Sequence, residues 1–331
     1  LKIVPEKIDN VLVIGLSCIG DMLLASCALW NLRLHLPKAH FTVWVGPRAL
    51  AVVEEDPMWD DVFLYDREKD FSGFLGRIKA VRKVRQGRFD LIIDLRSGAM
   101  PLFSGARYRP LWGLRELRLP KTIHEAERNL YALMTLGVPV RTRQLRFYIP
   151  EGERKWVAEN VGPTIGDKRF VLLNPGAAWP REKRWPVERF AELGKRLLDD
   201  NVFVGVIGYT EAEQEAAERI CRIIGEGALP LYGKKGLGRL AALLEKADLF
   251  VTNDTGPLHL ASAVGTPTVG IYGPTSPDRY GPWGNRHRVV FPDLPCAPCG
   301  NIRKCPRNPE KCLSFLPVGK VLEASRELLG L

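Results

Sequence analysis

No apolar run in the 331 residues reaches the roughly 18 needed to span a bilayer. The amino end lacks the charged-then-apolar layout of a secretory signal, so the cytosol is the expected compartment. There the seven cysteines are expected to stay reduced. No zinc finger and no paired aromatic RNA-binding strand is visible, so no nucleic-acid partner is expected. The first glycine-bearing loop has glycines at 15 and 20 but no third one, which excludes the dinucleotide fingerprint. No Gly-Lys-Ser/Thr follows it, which excludes a P-loop.

What is present is the composition of a globular protein, 46% hydrophobic and 26% charged, with enough length for two domains. Net charge is +10 and is uneven. Residues 1–150 hold 23 Lys+Arg against 16 Asp+Glu, a balance of +7; the remainder holds 25 against 22, a balance of +3. Such a field favours anionic partners such as anionic lipid or a phosphorylated sugar. A merely soluble basic surface is the alternative reading.

The first half alternates strand and helix, which predicts a parallel, doubly wound α/β sheet. Residues 10–16 are continuously apolar and read as a buried strand. A loop over 17–21 and a helix over 22–34 follow. Asp21 stands at the mouth of that helix, where a carboxylate serves either as a plain cap or as a chemical group. Strands are expected at 41–45, 62–65 and 89–95. Residues 71–88 have helical spacing with a cationic face, suited to an anionic membrane or simply to solvent. The arginine-rich segment 105–121, with Arg107, Arg109 and Arg115, is suited to phosphates or sugar carboxylates.

Proline and glycine over 140–166 place a boundary near 158/159. The domains expected are 1–158, 159–315, and a closing helix over 316–331 that packs back on the first. In the second domain, strand 170–174 is followed by Pro175-Gly176-Ala177-Ala178-Trp179, then Lys183, then a helix over 187–199. A lysine on such a loop can neutralise a diphosphate leaving group. Strand 249–252 runs into Asn253-Asp254-Thr255-Gly256-Pro257 and a helix over 258–264. The free N–H groups at that helix start are an anion site at a strand's carboxyl end. Cys296-x2-Cys299-x5-Cys305-x6-Cys312 clusters four cysteines. A structural zinc or iron–sulfur site, reduced thiols and disulfides are all open readings there.

Three blocks carry a resemblance: Val13-Ile14-x-Leu16-Ser17-x-Ile19-Gly20-Asp21-x-Leu23-Leu24, Pro175-Gly176-Ala177-(x)5-Lys183-x-Trp185-Pro186, and Asp254-Thr255-Gly256-Pro257-x-His259-x-Ala261 followed by Gly265-Thr266-Pro267. They resemble, in order, the motifs of the family 9 glycosyltransferases, the bacterial ADP-heptose:lipopolysaccharide heptosyltransferases. The resemblance implies a GT-B fold, two Rossmann-like domains facing a cleft, and inverting transfer of heptose from ADP-heptose to the lipopolysaccharide inner core. It implies Asp21 as general base and Lys183 as a contact of the donor. It implies donor binding by Ala178, Trp179, Glu213, Asp254, Thr255, Gly256, Pro257 and His259, with Ala178 and Trp179 standing where some members carry threonines. The cysteine segment is similar to that of heptosyltransferase II members, which implies an acceptor ending in heptose. The basic first half suits that acceptor at the inner-membrane face, with the enzyme peripheral on it. No Asp-x-Asp occurs, so no catalytic metal or other cofactor is expected. The alternatives are another nucleotide-sugar transferase of the same fold, or a non-enzymatic nucleotide- or metal-responsive interaction protein.

Overall fold

The computed structural model describes residues 2–112, 119–120, 122–177, 183–232, 236–300 and 311–331. The chain divides into two compact units, Leu1–Tyr148 and Ile149–Leu331, ten residues before the boundary expected from composition.

The first unit is built on four parallel strands in the order β3-β2-β1-β4. They are β1 (Asn10–Ile14), β2 (His40–Val45), β3 (Asp61–Leu64) and β4 (Leu91–Asp94). β1 and β4 lie side by side and are almost wholly buried, which is why both read as unbroken apolar runs. Helix α1 (Ile19–His35) follows β1. It begins three residues earlier than the sequence suggests, so Asp21 lies in its first turn rather than in a loop. An acidic residue there is stabilised by the free N–H groups and the helix dipole, so the turn winds through it. Helix α2 (Gly73–Gln86) buries the small-residue line Gly76, Ala80 and Val84 against the sheet. Its neighbours include the aromatic cluster of Trp44, Phe63, Tyr65 and Phe71. After β4 come a short helix, α3 (Met100–Phe103), and later α4 (Glu125–Met134), which packs on α1.

The second unit has six parallel strands in the order β10-β9-β8-β5-β6-β7. These are β5 (Arg169–Asn174), β6 (Val202–Gly208), β7 (Ala228–Tyr232), β8 (Leu249–Asn253), β9 (Thr268–Ile271) and β10 (His287–Val290). Counted from β5, this is the Rossmann order. The strands alternate with α5 (Glu151–Asn160), α6 (Val187–Leu198), α7 (Glu211–Ile224), α8 (Leu237–Lys246) and α9 (Gly256–Val264). β7 and β10 were not foreseen. Both are edge strands, β7 carries Pro230, and neither has the apolar run of a central strand.

The last helix, α10 (Val318–Leu329), packs on α6 and on β8, β9 and β10 of the second unit. Val321 and Leu328 join that unit's core, and Arg326 bonds Asp200 at 2.8 Å. The closing helix is thus built into the core of the second unit. No helix among the described residues is long and apolar enough to cross a membrane.

Candidate functional site

Ligands of open parallel sheets lie beyond the carboxyl ends of the strands, where the strand order switches direction. In the second unit the switch falls between β5 and β8. The Pro175-Gly176-Ala177 segment and the Asp254-Thr255-Gly256 segment leave the sheet there. Each strand ends on a buried asparagine, and these two residues assemble the site. Asn253 Nδ2 donates to the carbonyls of Pro175 (3.0 Å) and Gly176 (3.2 Å), and its Oδ1 accepts from the Trp185 N–H (3.0 Å). Asn174 Nδ2 donates to the hydroxyls of Thr252 (2.8 Å) and Thr255 (3.2 Å), while its Oδ1 accepts from the Gly176 N–H (3.2 Å). Residues 175–176 and Trp185 are therefore tied to β8. Trp185 closes the base, buried against Phe190 and donating from Nε1 to the Leu316 carbonyl at 3.1 Å.

Lys183 Nζ lies 2.6 Å from Asp254 Oδ2, with side-chain exposures of 18% and 8%. The pair joins the loop after β5 to the start of α9. Thr255 is the N-cap of that helix and Pro257 lies in its first turn, but no side chain caps it, because the Thr255 hydroxyl is engaged by Asn174. The first-turn N–H groups and the positive dipole end stay directed past the strand ends. Gly265 ends the helix at φ +84°, a left-handed conformation that glycine tolerates. His259 is buried one turn into α9. Behind Asp254, burial and then the Asp254 charge push the Tyr272 phenol well above its usual range, and it donates to the Tyr280 carbonyl at 2.8 Å.

Glu213 caps α7. Its Oε2 accepts from the N–H groups of Tyr209 (3.2 Å) and Thr210 (3.1 Å), and Thr210 Oγ1 accepts in return from the Glu213 N–H. A β-carbon on Gly176 would sit 2.6 Å from Glu213 Oε1, so this carboxylate borders the loop after β5 and would have to shift for any larger residue there. Ala178 and Trp179 lie outside the described residues.

In the first unit the switch falls between β1 and β4. Asp21 is half-buried in the first turn of α1 and hydrogen-bonds the Cys18 thiol at the N-cap. Burial, then the Asp21 charge and this bond, raise the Cys18 thiol pKa; the Arg48 charge opposes them. Across the switch, Arg96 Nε donates to the Gly15 carbonyl at 2.7 Å, and its Nη2 is buried with no hydrogen-bond partner among the described residues. Burial lowers the Arg96 pKa, as does the nearby Arg67 charge. Asp94 ends β4, accepts from the N–H groups of Arg96 (3.0 Å) and Gly98 (3.1 Å), and has its carboxyl pKa raised by burial against those bonds. A cavity of about 680 Å³ opens here, with Ile14, Asp94 and Arg96 among its lining.

Arg107 and Arg109 are exposed and flank Tyr108, whose N–H bonds the Asp90 carbonyl beside the amino end of β4. The structure does not bring them to the strands' carboxyl ends, and Arg115 lies outside the described residues. Cys296 and Cys299 are exposed, and Cys312 is half-buried against Gly273. Cys305 lies outside the described residues, and among those described no group of three or more His, Cys, Asp or Glu could hold a metal. Sequence reasoning assigned no role to Asn174, Asn253, Asp94 or Arg96. Their signal was a polar residue ending, or directly following, an apolar strand.

Residues 77–308 match the model of glycosyltransferase family 9 (heptosyltransferase). A lipooligosaccharide heptosyltransferase 2 of Campylobacter jejuni subsp. jejuni serotype O:2 is 28% identical over 324 residues, covering 94% of this chain and 95% of that protein. A lipopolysaccharide heptosyltransferase 2 of Escherichia coli K12 is 25% identical, covering 85% and 87%. Among solved structures, a family 9 glycosyl transferase of Veillonella parvula superposes with a TM-score of 0.77 at 26% identity, covering 97% of each chain. The E. coli ADP-heptose lps heptosyltransferase II superposes at 0.71 with 25% identity, covering 97% and 98%. The fold is the α/β GT-B fold of these enzymes.

Proposed function

The chain belongs to glycosyltransferase family 9, the heptosyltransferases, and on that premise we propose how its residues carry out the transfer. It is a glycosyltransferase that moves heptose from ADP-heptose to the lipopolysaccharide inner core. The observation that carries our assignment of donor chemistry is the Lys183–Asp254 pair beside the uncapped start of α9, at the switch point of the second unit.

The diphosphate of the donor takes the first-turn N–H groups of α9 and the Lys183 ammonium, with Asp254 holding that ammonium in place. Glu213 Oε1, beside Gly176, accepts from a ribose hydroxyl, and Pro257 and His259 set the course of the helix. The first unit takes the acceptor. Asp21 accepts the proton of the acceptor hydroxyl as that oxygen attacks the anomeric carbon. The new carbon–oxygen bond forms as the bond to the diphosphate breaks, with inversion, and the electron pair leaves on ADP. Negative charge grows on the leaving diphosphate, so fixed positive groups there lower the barrier. Arg96, whose buried Nη2 has no partner among the described residues, and Arg48, whose charge reaches Cys18, suit the acidic groups of the acceptor better than Arg107 and Arg109, which sit beside the amino end of β4. An acceptor already ending in heptose is supported by the relatives named heptosyltransferase 2. Transfer proceeds without a divalent ion, in keeping with the absence of Asp-x-Asp. The enzyme works peripherally on the anionic inner face of the cytoplasmic membrane, in keeping with the +7 balance of residues 1–150 (23 against 16).

Calorimetry with ADP, UDP and GDP, with and without magnesium, tests the donor assignment. Selective ADP binding that is indifferent to magnesium is expected, as is ADP release from ADP-heptose in excess chelator. Preference for UDP or GDP would reassign the donor, and loss of turnover in chelator would reinstate a metal.

A further inference from the structure

We propose that the rim formed by α2 and α3 in the first unit is the surface by which the enzyme seats itself in an anionic phospholipid leaflet. This rests on the peripheral-membrane reading above and assigns it to particular side chains.

Four large apolar side chains stand out of the first unit at one place. Phe74 and Leu75 in the first turn of α2 are 77% and 79% exposed; Leu102 and Phe103 of α3 are 52% and 55% exposed. The two helices are tied together, since Arg85 Nε donates to the Phe103 carbonyl at 2.8 Å. Phe74 and Phe103 line the same cavity, and Leu75 and Leu102 are their exposed neighbours in sequence. Exposed aromatic and aliphatic groups grouped in this way mark an interaction surface, whereas single ones need no explanation.

The charge beneath the rim decides the kind of partner. Residues 73–86 carry Arg77, Lys79, Arg82, Lys83 and Arg85 and no acidic residue. The stripe of α2 facing the cavity runs Phe74, Arg77, Ile78, Val81, Arg82, Arg85, at steps of three and four. Arg77, Arg82 and Arg85 are exposed, one to three turns from Phe74. A protein partner with an apolar docking face would leave three guanidinium groups without counter-ions. A leaflet supplies both layers at once: acyl chains for Phe74, Leu75, Leu102 and Phe103, and headgroup phosphates for the arginines, whose long stems bridge the two depths. The opposite side of α2 is occupied, with Lys79 and Lys83 lying over the rings of Phe71 and Phe63 at 5.1 and 4.0 Å. The cavity behind the rim reaches Asp94 and Arg96 at the carboxyl end of β4. A leaflet seated on the rim would therefore bring an acceptor anchored in it to the edge of the sheet that carries Asp21.

The test is sedimentation of the full chain with sucrose-loaded vesicles of phosphatidylcholine alone or with about 30 mole percent phosphatidylglycerol, a mimic of an anionic leaflet. Binding is expected only with phosphatidylglycerol, and it should weaken in high salt. Arg77→Ala/Arg82→Ala removes two interfacial charges, each worth about five-fold, and should weaken binding about 25-fold. Phe74→Ser/Leu75→Ser should weaken it by at least about ten-fold, on the order of two lost apolar anchors. Phe74→Trp should show a blue-shifted emission with phosphatidylglycerol vesicles and none with phosphatidylcholine. ADP binding and the thermal unfolding curve, kept in each variant, establish that the fold is intact. Wild-type binding in both double variants, or no emission shift in the Phe74→Trp protein, would overturn the assignment of this rim while leaving the peripheral reading standing. No binding of the parent chain to any anionic vesicle would sink the peripheral reading itself. Equal binding to both vesicle types would overturn the anionic leaflet as the partner.

Discussion

Replacing Lys183 by Met separates two jobs that one ammonium performs. It leaves Asp254, with a side chain only 8% exposed, without the partner that sat 2.6 Å away. Removing one member of a buried ion pair costs about 3–5 kcal/mol, and the 18% exposure of the lysine places this case at about 3 kcal/mol. Adding Asp254→Asn neutralises the stranded carboxylate, so the double variant should recover most of that stability. Turnover should not follow. A preorganised positive group on a developing charge contributes about 2.7–4 kcal/mol, or 10²–10³ in kcat, and the double variant still lacks it. Urea unfolding and ADP release from ADP-heptose, measured on all four proteins of the cycle, give the two couplings. A double variant that regains turnover together with stability would refute the leaving-group role. A Lys183→Met protein as stable as the parent would refute the buried pair.

The other expectations concern the first unit and the loop after β5. Asp21→Asn should lower turnover by at least about 10²-fold, a general base's share, with ADP affinity unchanged by calorimetry; full activity would remove Asp21 from the chemistry. The same variant should speed alkylation of Cys18 by iodoacetamide near pH 8. The Asp21 carboxylate helps to raise the thiol pKa, so removing it lowers that pKa and increases the thiolate fraction at any pH below it. Peptide mass spectrometry reads the rate against exposed Cys296 and Cys299, and an unchanged ratio would contradict the Cys18–Asp21 contact. Gly176→Ala places a β-carbon 2.6 Å from Glu213 Oε1 and should expel that carboxylate from the α7 cap. The cost should be about 1–2 kcal/mol, with weaker ADP binding. In a Glu213→Ala background the added cost should shrink, and full additivity would place the strain elsewhere.

The central strands were legible because parallel strands covered on both faces need unbroken apolar runs, and 10–16, 170–174 and 249–252 supply them. The edge strands β7 and β10 were not, since an edge strand has a neighbour on one side only and so tolerates Pro230 or His287 in place of an unbroken apolar run. The α1 boundary shifted because Gly20, a poor helix former, reads as loop, whereas Asp21 in the first turn suits a helix start at Ile19. Of the site, Asp21, Lys183 and Asp254 stood out through the spacing of their motifs. Asn174 and Asn253 did not, because an asparagine after an apolar run reads as an ordinary strand end until its partners are known.

By itself the sequence determined the alternation of strand and helix, the division into two halves, the family, and the excess positive charge of the first half. These are properties of local pattern and composition, which need no knowledge of what lies opposite. Tertiary structure alone decided that Lys183 meets Asp254 across 71 positions, and that Asn253 holds the loop after β5 from 78 and 77 positions away. It alone brought Phe74 of α2 and Phe103 of α3 to one opening. Such contacts follow from the order in which strands enter a sheet. That order is settled by burial of the whole core rather than by any one stretch of chain.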